Sequence, residues 1–131
     1  MFNLFKKTNT PDNKKELFAW LNNINLNSKP TNDVKAYWFG LFETPNGYTI
    51  YLTGSNTYDE NDSDWACNVD FAPKEKYMEL GLKGYKWEDV LKIAIDLVKS
   101  FIESEDYKKH FISKADHIAI GFDDGDLIKI I

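Results

Sequence analysis

The sequence has no arginine, one cysteine (Cys67), two histidines (His110 and His117), and no apolar run approaching the length of a membrane span. Each shortage excludes something. A lone cysteine cannot close a disulfide within the chain, which argues against a small secreted domain stapled by bridges. No run approaches the roughly 18–20 apolar residues of a transmembrane helix, so no membrane partner is expected. Met1 to Thr10 has no apolar core of signal-peptide length, and the cytoplasm is the expected compartment. All sixteen basic residues are lysines, paired only at Lys6-Lys7, Lys14-Lys15 and Lys108-Lys109. The net charge is −5. Phosphate binding needs a clustered basic surface, so nucleic acid is not an expected partner.

Catalytic signatures are missing too. There is no G-x-S-x-G elbow, P-loop, dinucleotide fingerprint or H-E-x-x-H. The chain is therefore not expected to be an enzyme, and neither cofactor nor bound metal is expected.

What is present describes a globular chain. It has 131 residues, 43% apolar and 28% charged, the size and balance of a single domain over residues 1–131. Aromatics reach 15%, enough large side chains to build a core without a staple.

Patterning predicts an α+β fold. A first helix is expected over 11–24, with Thr10 as N-cap, Pro11 at its first position and Leu17, Phe18, Leu21 and Ile24 on one face. Three strands follow. Residues 35–43 are bulky on both faces, as in a central strand. Asn46-Gly47 signals a turn. Residues 48–53 alternate cleanly. Residues 65–71 place Trp65, Cys67, Val69 and Phe71 on one inward face and end at Pro73. Together they should form an antiparallel meander.

The clearest helix runs over 87–103, with Leu91, Ala94, Ile95, Val98 and Phe101 expected against the sheet and Glu88 and Asp89 in its acid-favouring first turn. A short helical turn is expected at 105–111. Strands 117–122 and 127–131 close the chain, with Asp124-Gly125 as a type I′ turn. The order α-β-β-β-α-β-β implies one largely antiparallel five-stranded sheet with the long helix on one face.

Two acidic clusters are candidate sites. The loop 54–64 carries Asp59, Glu60, Asp62 and Asp64 with no lysine among them, and Tyr51, Tyr58 and Trp65 lie in or beside it. It reads either as a solvated loop or as an acidic, aromatic-anchored surface for a basic protein. Asp123, Asp124 and Asp126 form the second cluster. A calcium loop spreads its ligands over about twelve residues and closes on Glu. These acids are bunched before a strand, so a tight turn is expected instead. If the long helix returns antiparallel to the third strand, the two clusters lie at opposite ends of the sheet. Cys67 paired with His117 would make a thiol site only if open and electropositive, and an inward strand position argues against that.

The stretch Ile118-Ala119-Ile120-Gly121-Phe122-Asp123-Asp124-Gly125-Asp126-Leu127 resembles the endings of immunity proteins from bacterial polymorphic-toxin loci, as does a long helix before a terminal hairpin. The resemblance implies non-catalytic neutralisation of a toxin, many of which are nucleases with basic clefts. An acidic chain suits such a cleft. A non-catalytic adaptor or regulatory domain is the alternative, followed by an enzyme of unfamiliar type.

Overall fold

The computed structural model describes residues 4–31 and 33–131, with side chains from residue 12 onward. Helix α1 spans Leu4–Asn27. It starts earlier than expected, so Thr10 and Pro11 lie inside it rather than at its cap. A cap preference is worth only about 1 kcal/mol, and a proline removes one backbone bond without obliging the helix to end. Leu17, Leu21 and Ile24 are fully buried, and Trp20 is buried beside them. The asparagine-rich end does not stop the helix at Ile24. Its side chains instead fasten it: Asn22 Nδ2 donates to Asp106, Asn25 Oδ1 accepts from the Phe111 N–H, and Asn27 and Ser28 both donate to the Glu75 carboxylate.

Strands β1 (Ala36–Thr44) and β2 (Gly47–Ser55) form a hairpin in which Thr44 pairs with Gly47, so the turn residues are Pro45 and Asn46. Gly47 has φ +133°, and a Cβ there would run into the Gly81 carbonyl. The third strand is not 65–71. It is β3, Tyr77–Gly81, paired antiparallel with β2. Residues 63–67 form a 3₁₀ helix, and only Phe71 keeps a bridge, to Gly54. The alternation of Trp65, Cys67, Val69 and Phe71 is therefore not a strand face: Trp65 is buried while Cys67 and Val69 are exposed.

Helix α2 (Trp87–Ile102) and the short α3 (Glu105–Lys109) lead to β4 (His117–Phe122) and β5 (Ile128–Lys129). The sheet order is β3-β2-β1-β4-β5. The fold is α+β with a five-stranded sheet, and three of its ladders are antiparallel, but β1 and β4 are parallel. The parallel pair follows from the path. β3 runs the same way as β1, α2 returns across the sheet, and β4 must then run with β1.

Both long helices cover one face. Tyr37, Phe39 and Leu41 of β1, Ile50 and Leu52 of β2, and Ile118 and Ile120 of β4 meet α1 and α2 there. The residues α2 buries most fully are Val90, Ala94, Leu97, Val98 and Phe101. Leu91 and Ile95, expected among them, are only half-buried at the stripe's margin, because the helix presents an arc centred on positions 94, 97, 98 and 101. Among the described residues no helix is long and apolar enough to cross a membrane.

The closing turn also differs from type I′. The Gly125 N–H donates to the Phe122 carbonyl, with Asp123 and Asp124 in the middle, and neither Asp124 nor Gly125 has positive φ. Five residues separate β4 from β5, too many for a two-residue hairpin.

Candidate functional site

The second face of the sheet carries the chemistry. Ala36 and Trp38 of β1 and Ala119 of β4 point to it, and the loop after β2 folds over them through Trp65, which is 6% exposed. Trp65 therefore plugs the loop onto the sheet. Tyr58 supports it, stacked on the His117 ring and tilted against Trp65 at 5.4 Å.

The loop acids are held by their own backbone. Asp59 Oδ1 accepts from the Asn61 N–H, and Asp62 Oδ1 caps the 3₁₀ helix by accepting from the Asp64 N–H at 3.0 Å. Farther along, the Asp70 carboxylate accepts from the Asn56 N–H and from Asn68 Nδ2. Such side-chain bonds hold a loop that has no ladder of its own. Asp59, Glu60, Asp62 and Asp64 are all exposed. The absence of a lysine among them in sequence does not survive folding, because Lys129 of β5 reaches Glu60 at 3.5 Å. A small cavity of about 240 Å³ opens between Tyr58, Glu60, Trp65, His117 and Lys129.

Tyr51 is not part of this loop's outer surface. Its ring crosses Gly40 of the neighbouring strand, where a Cβ would collide with it. Trp38 Nε1 donates to Tyr51 Oη at 3.1 Å, and Tyr51 Oη donates to Asp123. Burial first, then the bond to Asp123, pushes the phenol up to about 12, so it remains a donor at neutral pH. Lys76 lies over the Tyr51 ring at 5.2 Å and the Tyr77 ring at 5.1 Å.

The two acidic clusters emerge at opposite ends of the strands. Ser55, which leads into the loop, pairs with Ala36, and Ala36 pairs with His117. Phe122, which leads into the second cluster, pairs with Leu41 at the other end. Asp123 reaches back to Tyr51, while Asp124 and Asp126 are exposed. Sequence reasoning missed Trp87, which is 55% exposed beside this turn, with its ring edge-on to Phe122 at 5.9 Å. An aromatic at the first position of an apolar helix reads as core unless the helix phase is drawn.

Cys67 is exposed, and His117 is occupied by Tyr58 and lies 3.4 Å from the Ile131 carbonyl. Among the described residues no group of three or more His, Cys, Asp and Glu side chains is placed to hold a metal ion. The chain matches no protein-family model, no curated protein and no solved structure.

Proposed function

We propose that this chain is an immunity-type protein that binds a basic toxin domain and blocks it without catalysis. The observation that carries the reading is the loop 54–64: four exposed carboxylates on a segment plugged by Trp65, of which, among the described residues, only Glu60 is paired with a lysine. A loop ordered before contact loses less conformational entropy on binding. Its charge draws a cationic partner at long range and favours fast encounter. Asp62 and Asp64 are exposed, Tyr58 supplies a half-buried aromatic, and Trp65 supports the loop from beneath. The resemblance of residues 118–127 to immunity-protein endings adds the biological context.

Co-expression with the product of a toxin-like adjacent gene is the test. Protection of the cells, lost when Asp59, Glu60, Asp62 and Asp64 are changed to Asn or Gln, supports the reading. Full toxicity in the presence of the folded wild-type chain rejects it and leaves the adaptor or regulatory domain in its place.

A further inference from the structure

We infer that the groove between the start of α2 and the turn after β4 is a separate docking site for a lysine- or arginine-bearing segment of a protein partner. The groove encloses about 910 Å³ at the end of the sheet away from the 54–64 loop. Leu91, Phe122 and Trp87 supply its apolar wall. Trp87 is 55% exposed yet held edge-on by Phe122, so it offers aromatic surface in a fixed position.

The rim decides the occupant. Glu43, Asp123, Asp124 and Asp126 line the groove, and among the described residues no lysine does. Asp123 is engaged by Tyr51, and no described lysine pairs with any of the four. An anionic segment would be repelled. A wholly apolar one would strip water from carboxylates and give them nothing in return. A lysine or arginine satisfies both parts of the site. Its alkyl stem lies along the apolar wall, and its charged head meets the carboxylates and the Trp87 ring. Aromatic anchors ringed by such contacts are where binding energy concentrates. The inference does not depend on the immunity reading, because the chemistry selects a basic segment whatever protein carries it.

The test uses the full chain, isotopically labelled, titrated at low salt with the peptides Ac-Arg-Leu-Arg-Leu-NH2 and Ac-Glu-Leu-Glu-Leu-NH2. The basic peptide should shift the Trp87 indole N–H and the amides of residues 123–126 saturably, and the acidic peptide should not. Asp124→Asn with Asp126→Asn should weaken binding by about fivefold or more, the size expected for removing two charge contacts. Trp87→Leu should weaken it comparably. Both changes lie on exposed side chains, and an otherwise unchanged amide spectrum verifies the fold. Neutralising Asp59, Glu60, Asp62 and Asp64 should leave the affinity nearly unaltered. The inference is overturned if the basic peptide gives no saturable shift, if loop amides respond as strongly as the groove, or if the Asp124/Asp126 double variant binds equally well. Because protection from a toxin is measured separately, failure here is distinguishable from failure of the immunity reading.

Discussion

The ring of Tyr58 lies flat on the imidazole of His117, with centroids 3.6 Å apart and planes 10° from parallel. This contact ties the acidic loop to the first residue of β4, 59 positions away in sequence. A double-mutant cycle of Tyr58→Leu and His117→Ala, read by urea unfolding, should give a coupling of about 0.5–1.5 kcal/mol. Strict additivity would mean that the stack does not hold the loop.

Gly40 is the seat of the Tyr51 ring, so Gly40→Ala should displace that ring before it disturbs the strand. The colliding atoms are the far end of a side chain, which can swing away. The expected loss of stability is about 1–3 kcal/mol, the range for overpacking. The more specific readout is the Tyr51 phenol, which should titrate nearer its ordinary value once burial and the Asp123 bond are lost. An unchanged titration in the variant would show that the ring does not need the glycine.

Phe101 is fully buried, with its ring edge-on to Phe18, Tyr107 and His110. Phe101→Ala should cost about 3–5 kcal/mol. Ile95 is only half-buried, and Ile95→Ala should cost about 1–2 kcal/mol, scaled by its partial burial. Equal costs in urea denaturation would mean that α2 presents a different arc to the sheet.

His110 should make stability depend on pH. It is 2% exposed, its Nδ1 accepts from the Ile112 N–H at 3.1 Å, and its Nε2 donates to the Leu21 carbonyl at 2.7 Å. Burial is the main cause that pushes its pKa down to about 4. The folded state thus holds the neutral ring, whereas the unfolded chain takes up a proton near pH 6.5. The stabilisation is complete above that value and is lost as pH falls toward 4. The stability gap between wild type and His110→Asn should shrink by up to about 3 kcal/mol from pH 7 to pH 4. Carboxylates common to both proteins cancel in that comparison. A gap independent of pH would place the ring in water.

Much of the fold was legible because its periods are strong. α2 repeats apolar residues at helical spacing behind Glu88 and Asp89, and β2 alternates along its length. The 65–71 segment misled because Trp65, Cys67, Val69 and Phe71 fall two apart, as in a strand. What prevents a strand is polar: Asp62 caps a 3₁₀ turn, and Asn68 Nδ2 donates to Ser55, Thr57 and Asp70. The true third strand is short, and only Met78 and Leu80 mark its buried face. The acids of the candidate site were visible in sequence. Their partners were not, since Lys129 meets Glu60 across 69 positions and Asp123 meets Tyr51 across 72. Only folding brings such pairs together.

The proposed steering of a basic protein partner by the loop carboxylates is tested by the association rate with the adjacent-gene product as a function of salt. Asp59→Asn, Glu60→Gln, Asp62→Asn and Asp64→Asn should be combined, because Asn keeps the acceptor oxygens that Asp59 and Asp62 use to hold the loop. The wild-type rate should fall steeply as ionic strength rises toward physiological values, where the Debye length is about 8 Å. The quadruple variant should associate at least about tenfold more slowly at low salt, lose most of that salt dependence and dissociate at nearly the wild-type rate. A variant that associates as fast as wild type at low salt would show that these carboxylates do not steer the partner.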